Sequence, residues 1–390
     1  MMARRIKTMR KTLIAPAKRV VIKIGSAVIS DREGLNHDHL EALADDICTL
    51  KQRGYEVILV SSGSVAAGKG DLGITGRPKT IPLKQAAAAI GQSRLMRCYR
   101  SAFRNRNENV AQVLLTRDDL ANRRRYLNAR NTLMTLLEYG IVPIINENDT
   151  VVVDEIRFGD NDNLSALVTN LVEANLLVIL SDVDGLYDKD PRKHADACLL
   201  HEVERINEKV KAMAGVDDTE LGTGGMATKL KAAKRATMHG VGTAIINGLT
   251  PGNLLRLFDG EDIGTYFFPS TSRMAAKKHW IAFTKKPRGK LFVDDGAVNA
   301  IVNNGRSLLP SGIKGVEGGF DRGDAVRLCD EQGIEFAKGV TNYALAELLQ
   351  IMGKKSAEIA EVLGYKYGDE IIHRDNLVLT EADGDENAES

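Results

Sequence analysis

Two clusters of carboxylate and carboxamide residues lie close together in the sequence. Residues 146–149 read Asn-Glu-Asn-Asp at the end of the apolar run 141–145, and residues 159–163 read Gly-Asp-Asn-Asp-Asn. Residues of these types are also common in solvated turns, which is the alternative interpretation. Asn161 and Asp162, however, run directly into an apolar stretch that is typical of a helix start. The pattern therefore predicts a polar site where strands end and helices begin.

A lysine within an apolar run and a glycine-rich turn indicate binding of an anion. Lys23 lies inside the apolar run 20–24, where packing does not explain a charge, although an edge strand or a snorkelling side chain would. Residues 222–229 read Gly-Thr-Gly-Gly-Met-Ala-Thr-Lys and precede a helix-like segment. Such a turn either cradles phosphate, with Lys229 as a point charge, or forms a plain loop.

A third small-residue segment follows the apolar run 57–60. Residues 63–69 match most of a P-loop, but Gly70 stands where a P-loop needs Ser or Thr to hold magnesium. We therefore disfavour a P-loop. Backbone N–H groups at such a strand-to-helix turn still favour an anionic group, with the Ser62 hydroxyl as a further donor.

These residues need a scaffold that brings them together. Short, β-branched apolar runs alternate with longer helix-like stretches, and the runs occupy 20–24, 57–60, 110–115, 141–145, 176–180 and 243–246. The alternation predicts an α/β fold, a three-layer αβα sandwich with a mostly parallel central sheet. Ligands of such sheets bind at the carboxyl ends of the strands.

The pattern changes after residue 268, where glycine-separated short strands with one helix-like segment predict a small β-rich module. We divide the chain into a basic tail (1–18), an α/β domain (19–268), a linker (269–288), a β-rich domain (289–380) and an acidic, disordered tail (381–390). The basic tail is interpreted as frayed, with a targeting peptide or an RNA-contacting arm as alternatives.

Composition excludes several classes of protein. The 53 basic and 52 acidic residues leave a net charge of +1, so no global field attracts nucleic acid or a membrane surface. No apolar run is long enough to span a membrane. The four cysteines are isolated, which predicts reduced thiols in a cytoplasmic protein, and the histidines lack metal-ligand spacing. We therefore predict no metal ligand among the side chains.

Together these motifs resemble the amino acid kinase family. The matching residues are 21–26, 61–63, 91–92, 127–130, 145–149, 159–166, 181–182 and 222–229. Residues 289–367 resemble the PUA domain that is often fused to members acting on the side-chain carboxylate of glutamate. The resemblance implies the amino acid kinase fold for residues 19–268 and a PUA-like barrel for residues 289–380.

The resemblance also implies a reaction. ATP, with Mg²⁺, would phosphorylate the γ-carboxylate of L-glutamate in the first step of proline synthesis, with proline as feedback inhibitor. Expected partners are a downstream glutamyl phosphate reductase and further copies of the chain, as a dimer or tetramer. Another family member with a different acceptor is one alternative. An RNA-binding protein is a second, disfavoured because residues 289–380 carry ten basic and fourteen acidic side chains.

Residue roles follow from the same resemblance. Lys23, Asp162 and Lys229 would be catalytic, the lysines meeting the ATP phosphates and Asp162 orienting them. Ser62, Asp149 and Asn161 would bind the amino acid. The residues implied for the nucleotide are Lys23, Ser181, Asp182, Thr223, Gly224, Gly225, Met226, Ala227, Thr228 and Lys229.

Overall fold

The computed structural model describes residues 10, 12–14, 16–31, 34–76, 78–151, 161–215, 225–272, 274–275, 278, 281–282 and 286–380. The chain divides into two compact units, Met1–Thr271 and Ser272–Ser390. Each unit has its own buried apolar core. Among the described residues, no helix has the length and apolarity needed to cross a bilayer.

An eight-stranded sheet forms the centre of the first unit. Its strands are β1 (Arg19–Ile24), β2 (Glu56–Ser61), β3 (Val110–Leu115), β4 (Val142–Glu147), β5 (Leu176–Ser181), β6 (Glu202–Val203), β7 (Gly242–Asn247) and β8 (Thr265–Phe267). They are ordered β3-β4-β2-β1-β5-β7-β8-β6, and only the β7–β8 pair is antiparallel. All six predicted apolar runs are strands, so the mostly parallel sheet is confirmed.

Helices cover both faces of this sheet. They are α1 (Ser26–Ile29), α2 (His37–Gln52), α3 (Ser64–Gly68), α4 (Ile81–Arg104), α5 (Arg117–Ala121), α6 (Arg123–Glu138), α7 (Asn161–Leu171), α8 (Glu208–Met213), α9 (Met226–Met238) and α10 (Asn253–Phe258). Apolar side chains of α2, α4 and α10 share one core, and those of α7 and α9 share the other. The predicted three-layer αβα sandwich is therefore confirmed.

The pleat of β1 decides which layer Lys23 faces. Val20, Ile22 and Ile24 contribute to the core beneath α2 and α4, whereas Val21 contributes to the core beneath α7 and α9. Because alternate side chains of a strand point to opposite faces, Lys23 lies on the face of Val21. It is thereby directed toward α7 and α9.

Helices α3 and α4 are in backbone contact, which only glycine permits. A Cβ atom at Gly68 would lie 2.0 Å from the carbonyl oxygen of Ala87, and one at Gly91 would lie 1.8 Å from that of Ser64. Gly63, which precedes α3, has φ of 108°, a left-handed conformation that favours glycine. The small residues predicted here thus allow close helix packing directly after β2.

The second unit contains a five-stranded sheet ordered β10-β9-β11-β12-β13. Its strands are β9 (Gly289–Val293), β10 (Ile313–Gly318), β11 (Ala325–Cys329), β12 (Glu335–Val340) and β13 (Leu377–Leu379). Only the β9–β11 pair is parallel. The α-helices described within residues 289–380 are α11 (Asp295–Val302), α12 (Leu345–Ile351) and α13 (Ile359–Leu363), so the single helical segment expected here was an underestimate.

Candidate active site

The carboxyl ends of four central strands meet at one edge of the sheet. Ile24 of β1 is in register with Ser61 of β2, and Val60 of β2 is in register with Ile145 of β4. On the other side of β1, Ile24 pairs with Leu180 of β5. The polar residues that follow these strands therefore come together, as the sequence predicted.

A buried cluster of one carboxylate and two lysines lies at this edge. Nζ of Lys23 is 2.5 Å from Oδ1 of Asp162, and Nζ of Lys229 is 3.6 Å from Oδ2 of the same carboxylate. Relative exposure is 4% for each lysine and 0% for Asp162. Strand β1 and helices α7 and α9 each contribute one member, so residues distant in sequence share one charged centre.

Thr228 is a further contact of Asp162. Its hydroxyl donates to Oδ2 of Asp162 over 2.8 Å and also lies 2.7 Å from the carbonyl oxygen of Gly225. Burial by itself would raise the pKa of Asp162, but Lys23, Lys229 and these hydrogen bonds outweigh it and lower the pKa below the usual range. The carboxylate is therefore held as an anion between two cations.

A chain of side-chain amides extends away from this centre. Nδ2 of Asn161 donates to Oγ of Ser62 and to Oδ1 of Asn146, both over 2.9 Å. Nδ2 of Asn146 in turn donates to Oε1 of Gln92 over 2.8 Å. The chain links α7 to β4 and α4, and so orders the side chains around Ser62.

Asp149 lies beyond the end of β4 and beside α4. Its Oδ1 is 3.7 Å from Nζ of Lys84, and its Oδ2 accepts a 3.4 Å hydrogen bond from the Ser64 hydroxyl. Burial raises the pKa of Asp149 above its usual value, and the two contacts offset only part of this effect. The partly buried Asp149 carboxylate could therefore bind a cationic group of a ligand.

The remaining predicted residues lie at the ends of β5 and the start of α9. The buried Ser181 hydroxyl donates to Oδ1 of the exposed Asp182 over 3.1 Å. Gly225 is the N-cap of α9, which begins at Met226, so the backbone N–H groups of its first turn lack partners within the helix. Thr223 and Gly224 lie outside the described residues.

Several residues of this site, Ser64 among them, were not assigned by sequence reasoning. Asn146 and Gln92 belong to motifs that carried the family resemblance, but their hydrogen bond joins positions 54 apart in sequence. Lys84 lies near the start of α4 and was not singled out from the sequence. The available signal was a polar residue, Asn146, directly after the apolar run 141–145, and the structure buries it to 2% exposure.

Coordination of a metal by side chains alone is not supported within the part of the chain that the structure describes. That part contains no group of three His, Cys, Asp or Glu residues able to hold an ion. Asp162 already contacts two lysines and Thr228. The donor set instead fits an anionic ligand, because two ammonium groups and the start of α9 converge here.

Comparisons with known proteins identify the family of the chain. The amino acid kinase family model matches residues 18–247, and the PUA domain model matches residues 289–363. A glutamate 5-kinase of Syntrophotalea carbinolica is 63% identical over 95% of this chain and 100% of its own length. One of Geobacter metallireducens is 58% identical with the same coverage.

Among solved structures, a UMP kinase from Bacillus anthracis covers 66% of this chain and 98% of its own, at 18% identity and a TM-score of 0.46. The family resemblance of the sequence is confirmed by the family models and the curated relatives. The chain therefore belongs to the amino acid kinase family, within its group of glutamate 5-kinases.

Proposed function

We propose that the chain transfers the γ-phosphoryl group of ATP to the γ-carboxylate of L-glutamate at the centre formed by Lys23, Asp162 and Lys229. Membership of the glutamate 5-kinases makes the chain a kinase with glutamate and ATP as substrates. The observation that carries the proposed site is the single buried carboxylate holding two lysines from separate elements.

The nucleophile in this reaction needs no general base. A glutamate side chain has a reference pKa of about 4.3, so the attacking carboxylate is already an anion near neutral pH. Catalysis then depends on bringing two anionic groups together and on stabilising charge that develops on the phosphoryl group. Among the described residues, the centre has two ammonium groups for one carboxylate, and this positive excess would serve both needs.

Lys23 and Lys229 would contact the phosphates, and Asp162 would position them. A carboxylate placed directly against a phosphoryl group would repel it, whereas one behind two ammonium groups aims them. A lysine about 4 Å from a developing unit charge contributes about 4 kcal/mol at an effective dielectric constant of about 20. Mg²⁺ bound to ATP would neutralise further phosphate charge, with the first turn of α9 and the Ser181 and Asp182 pair holding the nucleotide.

Ser62, Asn161 and Asp149 would bind the amino acid. The Ser62 hydroxyl accepts from Nδ2 of Asn161, which leaves its own hydrogen available for a substrate carboxylate. Oδ1 of Asn161 is buried and has no hydrogen-bond partner among the described residues, so it can accept from a donor. The one cationic donor of glutamate is its α-ammonium group, which the Asp149 carboxylate would also attract.

Further expectations follow from the group to which the chain belongs. The acyl phosphate product is reactive, so we propose that a glutamyl phosphate reductase consumes it in proline synthesis. We propose proline as a feedback inhibitor at the amino-acid site, a dimer or tetramer as the assembly, and a cytoplasmic location. The division into a kinase domain at 19–268, a linker at 269–288 and a PUA-like domain at 289–380 is part of the same proposal.

The test is formation of γ-glutamyl hydroxamate from glutamate, ATP, Mg²⁺ and hydroxylamine. We expect hydroxamate that depends on every component and decreases when proline is added. ADP release with acetylglutamate, aspartate, carbamate and a nucleoside monophosphate identifies any other acceptor. No hydroxamate from glutamate, together with ADP release on one of these compounds, would replace the proposed substrate.

A further inference from the structure

Gln92 has a place in the site but no role in the scheme above. It belongs to α4 and follows Gly91, whose contact with α3 fixes the helix against the segment after β2. Its Oε1 accepts from Asn146, whereas its Nε2 is buried without a hydrogen-bond partner among the described residues. A buried amide group with one satisfied end and one open end indicates a missing acceptor.

The orientation of the amide follows from a donor that cannot be reversed. The backbone N–H of Glu147 donates to Oδ1 of Asn146 over 2.9 Å, so this side of the Asn146 amide must be oxygen. Its other side is therefore the NH₂ group, which faces Gln92 over 2.8 Å. Oε1 of Gln92 must accept there, and the open end of Gln92 is consequently a donor.

The Nε2 group of Gln92 could donate a hydrogen bond to a carboxylate, and glutamate has two carboxylates. The γ-carboxylate must approach the phosphoryl group near Lys23 and Asp162. Asn161 adjoins Asp162, and the hydrogen bonds lead from Asn161 through Asn146 to Gln92, which ends the chain at its far side. The α-carboxylate is the group left for Gln92.

The helix that carries Gln92 supports this assignment. Lys84, two turns earlier in α4, lies 3.7 Å from Asp149, the proposed acceptor for the α-ammonium group. Helix α4 thus contributes to the end of the site where the α-amino acid group would bind. On the basis of the proposed function, we infer that Nε2 of Gln92 donates to the α-carboxylate of the substrate and thereby selects α-amino acids.

Three compounds separate this role from a structural one. Glutamate carries both α-substituents, glutarate lacks the α-ammonium group, and 4-aminobutyrate lacks the α-carboxylate. The variant Gln92→Glu keeps an acceptor toward Asn146 but replaces the donor with an oxygen. Ser93→Glu, an exposed position on the same helix, controls for the added charge.

We expect Gln92→Glu to raise KM for glutamate and the inhibition constant of glutarate by about 10- to 100-fold, the effect of losing a hydrogen bond to a charged group. The inhibition constant of 4-aminobutyrate, kcat and KM for ATP should change less than about threefold, because none of them involves the lost contact. Ser93→Glu should match the wild type in every value.

Gln92→Met provides a second measurement if Gln92→Glu does not fold. It removes the donor and also the acceptor for Asn146, so all three compounds should bind more weakly. The ratio of KM for glutamate to the inhibition constant of 4-aminobutyrate should still increase about tenfold. An equal loss for all compounds, or no loss for glutamate, overturns the assignment to Gln92. Wild-type protein that forms no glutamyl hydroxamate instead overturns the proposed function itself.

Discussion

The ammonium group of Lys23 lies 2.5 Å from the carboxylate of Asp162, and both side chains are almost completely shielded from solvent. Lys23 belongs to a central strand and Asp162 to the first turn of α7. Taking both charges out of water costs free energy that only their mutual attraction and the other contacts of Asp162 offset. Lys23 and Asp162 therefore contribute both to the stability of this edge of the sheet and to the reaction proposed there.

Replacing Asp162 should destabilise the first unit. Asp162→Asn removes the buried negative charge that Lys23 and Lys229 both contact, so we expect a loss of about 3–5 kcal/mol in the free energy of unfolding. Urea denaturation measures this loss. Asp38→Asn, in the exposed first turn of α2, should cost less than about 1 kcal/mol.

The same variant has an expected pH dependence. The pKa of Asp162 is lowered in the folded state, so its stabilisation is complete above the unfolded pKa of about 3.9. It is lost as the pH falls through the folded pKa. The stability difference between wild type and Asp162→Asn should therefore narrow in acid, and a constant difference at all pH values would contradict the charge-based explanation.

Removing either lysine should slow the chemical step. Lys23→Met and Lys229→Met keep most of the side-chain volume but lose the charge that we propose to meet the phosphates. We expect kcat to decrease about 100- to 1,000-fold, which corresponds to about 3–4 kcal/mol of transition-state stabilisation. Steady-state kinetics with the exposed Lys209→Met as control measures this. A large change in KM for glutamate with unchanged kcat would reverse the assignment.

The pH dependence of glutamate binding should report on Asp149. Burial raises the pKa of Asp149, and Lys84 partly offsets this effect. Protonated Asp149 cannot attract an ammonium group, so kcat/KM for glutamate should fall as the pH falls through this pKa. Lys84→Met should move that fall to higher pH.

Two further variants test whether Asp149 is responsible for this pH dependence. Lys79→Met, at an exposed position before α4, should leave the pH profile unchanged. Asp149→Ala should raise KM for glutamate while affecting kcat less, because binding rather than phosphoryl transfer loses a contact. If kcat/KM for glutamate still decreases at the same acidic pH in Asp149→Ala, a titrating group other than Asp149 causes the decrease.

The contact between α3 and α4 predicts a glycine that does not tolerate a methyl group. A Cβ at Gly91 would lie 1.8 Å from the Ser64 carbonyl oxygen, so Gly91→Ala must separate the helices. We expect a loss of about 1–3 kcal/mol in unfolding free energy, together with a raised KM for glutamate.

Gly70→Ala is the matched control for this pair of helices. Nothing lies within 4 Å of a Cβ built there, so the substitution should be neutral or stabilise the protein by about 0.4–1 kcal/mol. Thermal unfolding and steady-state kinetics compare the two variants. Equal behaviour of Gly91→Ala and Gly70→Ala would show that the close approach does not matter.

The central sheet could be predicted because its strands are continuous β-branched runs. Strand β5, for example, is buried along its whole length, and its residues 176–180 are all apolar. Strands β6 and β8 were missed, since two and three residues are too few for a periodic pattern. The helices α11 and α12 were missed for another reason, because frequent glycines in this part of the chain suggested short strands with one helical segment.

The site was predictable at the level of residue types but less so at the level of contacts. Lys23 was conspicuous as a charge within an apolar strand, and Asp162 as an acid at a helix start. The contact of Thr228 with Asp162 spans 66 positions, and that of Gln92 with Asn146 spans 54. Such pairs form when separate helices and strands pack together. The spacing of residues within one segment of the sequence does not show which segments will be neighbours.

The side chains of β1 alternate between the two faces of the sheet, and this alternation restricts insertions and deletions in the strand. Strand β1 is bonded along its length to β2 on one side and to β5 on the other. Insertion or deletion of one residue before Lys23 would exchange the two faces of the strand, placing the ammonium group under α2 and α4 and an aliphatic side chain beside Asp162. Apolar substitutions in β1 can therefore be tolerated where a change of one codon in length cannot.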